Sequence, residues 1–161
     1  MENTQLFIDM ATTAWGSHVQ RVTDTISKLS DEELSAATAP GRNSGIYLLG
    51  HLVAVNDYML PLFGLRDRLY PELEETFIRK PDNATTERPT AEWLRTAWQE
   101  LNHTLTEHFG RMTAEDWFGR HTSVPEEDFA KQPHRNKLNV LINRTNHQNY
   151  HLGQLVYLLK K

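Results

Sequence analysis

Four stretches of this chain repeat their apolar residues every three or four positions, and that period limits the fold more than any other feature. The first spans about 4–29, where Ala11, Trp15, Val22, Ile26 and Leu29 share one face. The second runs from Ile46 to about Leu60, and the third from Ala91 to about Phe109 with Leu94, Trp98, Leu101, Leu105 and Phe109 in line. The fourth runs from Lys137 to the end of the chain. Ser44 and Thr90 precede the second and third as N-cap residues. Ser30 and Thr113, each with a carboxylate three positions on, open two short helices. Pro61 and Gly64 kink or end the second helix. Residues 66–89, with Pro71, Pro81 and Pro89, form a long connection with a helical turn expected inside it, and 119–136 form a loop. Few segments alternate with the period of a strand. The pattern predicts an all-α four-helix bundle with short extra helices in its connections, a single domain over 1–161.

Composition narrows the function. Hydrophobic residues at 39% and charged residues at 24% are those of a globular chain long enough for a real core. No apolar run reaches the roughly 18 residues needed to cross a bilayer, so no membrane role is expected. The N-terminal stretch has no basic region followed by an apolar one, so no signal peptide is expected. There is no cysteine, which removes disulfides, thiolate ligands and a protein thiol nucleophile together and suits a cytoplasmic setting. A net charge of -4 without a basic cluster argues against nucleic-acid binding.

Eight histidines remain to be placed. On the fourth helix His151 lies about 40° round from His147, with Val140 and Leu158 about 20° from it. On the second, Val55 is about 40° and Leu48 about 60° from His51. All three imidazoles therefore belong to the inward side, as does His18 between Trp15 and Val22. His103 faces water, His108 lies near the core face of the third helix, and His121 and His134 fall in loops. A buried neutral imidazole needs a hydrogen-bond partner or a metal. Three of them from two facing helices either form hydrogen-bonded core or hold a divalent ion with an open position. The pattern leaves both readings open, and imidazole suits zinc, nickel, copper and iron alike. The pair is not a metalloprotease helix, since Gln148, Asn149 and Tyr150 between the histidines supply no glutamate base. Asp57, about 120° off the His51 face, reads as a surface salt bridge. Gly153 reads as a point of close helix approach, and Trp15, Trp93, Trp98 and Trp117 as core or interface.

"SGIYLLGHLVAVNDYML" (44–60) and "NHQNYHLGQLVYLLK" (146–160) resemble the two signature stretches of the DinB-like (DinB/YfiT) metalloenzyme-like superfamily. His151 is followed by Leu152 and then Gly153, Gln154 and Leu155, as is common there. The resemblance implies an up-down-down-up bundle with a divalent metal held by His51, His147 and His151. It also implies a homodimer and, for a damage-inducible family, a stress-response setting. His18, Tyr150 and Gln154 are the candidates for a fourth ligand or an outer-shell partner.

Characterised members of that family include metal-dependent transferases acting on low-molecular-weight thiols such as bacillithiol, mycothiol and glutathione, with some isomerases and hydrolases. The expectation for this chain is a metal-dependent transferase joining a low-molecular-weight thiol to a small electrophile, on zinc, nickel or iron. A metal-dependent hydrolase is the same chemistry with water in place of the thiol. A non-catalytic dimeric bundle that binds metal or a small ligand is the alternative from another class. No catalytic base is assigned.

Overall fold

The computed structural model describes residues 2–84 and 87–159. Four long helices make the bundle: α1 (Glu2–Ser27), α3 (Gly45–Asp57), α5 (Ala91–Phe109) and α8 (Lys137–Leu155). Short helices fill the connections: α2 (Asp31–Ser35), α4 (Met59–Leu62), a π-helical turn at Glu75–Arg79, α6 (Ala114–Phe118), α7 (Glu126–Lys131), and a closing 3-10 turn at Val156–Leu158. The described residues hold no strand, only isolated bridges at Ala37 with Ser44 and at Arg120 with Asn136.

Most boundaries follow their caps. Ser30 accepts from the Glu33 amide while Glu33 reaches back to the Ser30 amide, and Thr113 with Asp116 does the same. Ser44, Thr90 and Asn136 cap α3, α5 and α8. The second helix ends at Asp57 rather than near Leu60, because Pro61 has no N–H to give to the Asp57 carbonyl. Gly64, at φ 71°, then turns the chain, and the Leu65 amide donates to the Leu60 carbonyl at 2.9 Å. α7 is a helix inside what reads as a loop; its first turn carries Glu126, Glu127 and Asp128, which suit a helix N-terminus. α8 passes into the 3-10 turn at Val156, and Lys160 and Lys161, expected to continue the fourth helix, lie outside the described residues.

Side-chain contacts fix the directions. Arg95, at the start of α5, donates to the Ile26 and Leu29 carbonyls at the end of α1, and Trp98 Nε1 donates to Thr23 Oγ1 at 2.9 Å. α1 and α5 are therefore antiparallel. Phe63, just past α4, meets Phe109 at the end of α5, so α3 and α5 run the same way. Gly45, opening α3, sits against Leu158 beyond the end of α8, so those two are antiparallel. The order is up-down-down-up, as in the DinB-like bundle. Trp15, Trp98 and Trp117 are buried, whereas Trp93 lies at the surface, edge-on to Tyr70.

α3 is the helix without a solvent face. Eleven of its thirteen residues are buried, leaving only Ile46 and His51 partly open. Any polar group on it must therefore be satisfied inside the protein. Asp57 shows this and corrects the surface reading: it is 0% exposed, and its carboxylate accepts from the Leu69 amide at 2.8 Å, the Tyr70 amide at 3.0 Å and Arg68 Nε at 3.1 Å. It clamps the start of the 66–89 connection to the end of α3.

Candidate metal centre

That connection returns along α3 and delivers Phe77 to the bundle. Its ring is fully buried against Gly50, where no Cβ would fit. The close approach that reads as belonging to Gly153 occurs here instead; Gly153 is exposed, with nothing within 4 Å of an added Cβ. With the ring seated, the Phe77 carbonyl lies 2.8 Å from His51 Nδ1. A carbonyl only accepts, so Nδ1 carries the proton and Nε2 the lone pair. Tyr47 stacks on the His51 ring at 6.4 Å and is itself held by its hydroxyl donating to the Lys80 carbonyl at 2.6 Å.

α8 carries two stripes side by side. Leu138, Leu141, Thr145, Gln148, Leu152 and Leu155 are buried along its core stripe. Val140, Arg144, His147 and His151 form the flanking stripe that turns toward α3. His151 is buried, and its Nδ1 donates to Gln154 Oε1 at 2.7 Å, which again leaves Nε2 as an acceptor. His147 is half-buried, and its Nδ1 has no partner among the described residues.

The three Nε2 atoms converge. His147 Nε2 lies 3.0 Å from that of His151 and 3.3 Å from that of His51. Two of these nitrogens have already been made acceptors. One proton on His147 Nε2 satisfies one lone pair and leaves the other facing it empty. A cation satisfies all three. Nitrogens bound to a tetrahedral ion at about 2.0–2.1 Å stand about 3.3 Å apart, close to the separations found. The donor set therefore fits a divalent ion, and the three side chains are close enough together to hold one.

Electrostatics point the same way. Burial pushes the His147 pKa down to about 4, helped by His151, His51 and Arg144. Burial also lowers His51, against the raising effect of the Phe77 carbonyl, and lowers His151 against Gln154. All three are neutral at pH 7 and free to donate to a metal. Among the described residues no carboxylate joins the cluster. His51 and His147 keep an edge toward solvent.

Of the outer-shell candidates, Gln154 is in place on His151. Tyr150 is 66% exposed and packs edge-on against the His151 ring at 5.0 Å, a lid on one side rather than a ligand. His18 is not with them: it lies half-buried on α1, lining a shallow groove with Leu6, Asp9 and Met10. Sequence reasoning missed the Phe77 carbonyl, which no side-chain pattern encodes, and Arg144, which the i, i+3 spacing to His147 was enough to mark.

A family model described as the DinB superfamily matches residues 14–155 of the chain, from within α1 to the end of α8. No curated protein matches it.

Proposed function

This chain belongs to the DinB superfamily, and from that premise we propose that it is a divalent-metal enzyme, with the ion on His51, His147 and His151, that joins a low-molecular-weight thiol to a small electrophile. The observation that carries the reading is the meeting of three neutral Nε2 atoms, with no fourth protein ligand among the described residues and an edge open to solvent. A divalent ion bound there supplies Lewis acidity that brings a thiol or water to its anionic form near neutral pH. Zinc, nickel and iron all suit three imidazoles.

The chain's own groups hold the frame. The Phe77 carbonyl and Gln154 fix the tautomers of His51 and His151, so both present Nε2 without rearrangement. Tyr47 and Tyr150 keep the rings from rotating out, one from each helix. The chain has no cysteine, so the sulfur nucleophile arrives with the substrate. Glu74, the acid on the neighbouring groove, is held ionised by Tyr58, Arg79 and Arg68, at a pKa of about 2. Such a weak base suits attack by an already formed thiolate better than proton abstraction from water.

The test is metal analysis of untagged protein, with His147→Ala beside it, followed by thiol transfer to 1-chloro-2,4-dinitrobenzene in the metal-loaded form. One equivalent of metal in the wild type, none in the variant, and turnover that follows the metal are the expected results. A folded protein that takes up no zinc, nickel or iron refutes the metal reading. Metal without turnover for any thiol, in a protein that melts on chelation, makes the site structural.

A further inference from the structure

Arg144 stands on α8 one turn before His147, a rise of about 4.5 Å. Of the four other partly buried arginines among the described residues, Arg135 also lacks a carboxylate but leaves no enclosed nitrogen unpartnered, and the remaining three are paired. Arg68 pairs with Asp57 and Glu74, Arg88 with Asp82, and Arg95 with Asp31. Arg144 pairs with no carboxylate among the described residues, and its Nε is enclosed with no hydrogen-bond partner. Burial lowers its pKa, yet a guanidinium stays protonated. A cation held half out of water without an anion is unfavourable in a fold that has no use for it.

The groove that Arg144 lines says what the use is. It is an open cleft of about 620 Å³ between α3, the Glu75–Arg79 turn and α8, walled by Val55, Tyr58, Glu74, Ile78, Arg79 and Arg144. Val55 is one turn on from His51, so both helix walls continue the ridges that carry the triad. Glu74 is the one acid in the lining, and Arg68, Arg79 and Tyr58 already occupy it. Its charge is spent within that network, and Arg144 is left as the uncompensated cation. Val55, Ile78 and the Tyr58 ring supply apolar wall beside it.

We propose that this groove binds a small organic carboxylate, with Arg144 as its anchor and the apolar wall against its carbon body, next to the metal triad. The guanidinium fork matches a carboxylate in a bidentate fashion that a lysine does not reproduce. The assignment deepens the enzyme reading by naming a charge on the substrate. Its binding step needs no metal, so it is tested first on metal-free protein.

The probe is phenylacetate, titrated into metal-free wild-type and variant protein and followed by isothermal titration calorimetry, with neutral phenylacetamide and inorganic phosphate as comparison arms. Saturable binding of phenylacetate is expected, at least tenfold tighter than phenylacetamide or phosphate. It is lost in Arg144→Met and weakened at least fivefold in Arg144→Lys, with both variants matching the wild type by circular dichroism. Equal binding of phenylacetamide overturns the carboxylate anchor, and equal binding of phosphate overturns its preference for an organic acid. Unchanged binding in Arg144→Met, or no saturation in the wild type, also overturns the proposal. Because the titration contains no metal, a failure here leaves the metal reading standing, and anion binding in a protein that refuses metal leaves this one standing.

Discussion

Gly50→Ala tests how the centre is assembled, because the substitution touches no histidine. A Cβ at residue 50 runs into three atoms of the Phe77 ring, which is fully buried and has nowhere to go as a rigid plane. Relief requires the Glu75–Arg79 turn to move outward, and the Phe77 carbonyl moves with it off His51 Nδ1. Overpacking of this kind costs about 2–3 kcal/mol, and the gain in helix propensity from glycine to alanine returns about 1. The net loss of about 1–2 kcal/mol lowers the melting temperature by about 4 °C in a domain of this size. Loosening an outer-shell hydrogen bond lowers metal affinity by about 10-fold or more. Gly153→Ala, in α8 with open space around it, is the matched control and gains about 0.5–1 kcal/mol from propensity alone. The assays are thermal unfolding of the metal-free protein and chelator competition of the loaded one. The two alanines are expected to shift melting in opposite directions, with only Gly50→Ala weakening metal. Shifts of the same sign, or a Gly50→Ala protein with wild-type affinity, refute the claim that Phe77 is seated by Gly50 and orients His51.

Three other outcomes follow from single interactions. Asp57→Ala strands two backbone amides and leaves Arg68 to Glu74 alone, and is expected to cost about 3–5 kcal/mol in denaturant unfolding; a loss under 1 kcal/mol contradicts the clamp. Gln154→Leu removes the acceptor from His151 Nδ1 and is expected to weaken metal about 10- to 100-fold while melting changes little. The pH dependence has a definite sign: unfolded His147 takes its proton near pH 6.5 but the folded residue only near 4, so the unfolded state binds more protons between those values. Stability of the metal-free protein is thus expected to fall as pH drops from 6.5 toward 5, above the range where Glu74 contributes, and the slope is expected to shrink in His147→Ala. An equal slope in the variant places the titration elsewhere.

The frame was legible because its signals are local. Capping residues and the period of apolar positions placed α1, α5 and α6 to within a residue or two, and α8 at its start though not at its end, where a 3-10 turn replaces it from Val156. The triad was legible for the same reason, since angular position on two helices is arithmetic. What failed were judgements that depend on what lies across from a residue. Asp57 reads as exposed if α3 has an outer face, and α3 has none because the 66–89 connection covers it. Gly153 reads as a contact point from its place beside His151, yet it points away from the bundle, while Gly50 takes the contact. His18 reads as core from its neighbours Trp15 and Val22 but lies on the flank of α1's stripe.

The same division explains how the site is built. The buried stripe of α8, from Leu138 to Leu155, does the packing, and the stripe beside it, Val140, Arg144, His147 and His151, carries the chemistry. Separating them lets the flanking residues be polar without opening holes in the core, at the expense of needing a cover. The 66–89 connection is that cover, and it is tied down by buried Asp57 on the Leu69 and Tyr70 amides, by partly buried Glu74 on Arg68 and Arg79 and Asp82 on the Ser44 amide at 2.6 Å, and by buried Phe77 against Gly50. Each anchor joins the connection to α3 or to its own neighbours, and none joins it to α8. Phe77 is thereby fixed to the helix that bears His51, while Arg144 across the groove is left unpaired. A change of substrate charge then requires substitutions on α8 and the rim alone, and a change in the metal's frame requires disturbing α3. Mutations at Arg144 are accordingly expected to alter which small molecules bind while leaving metal content intact, and mutations at Gly50 to do the reverse.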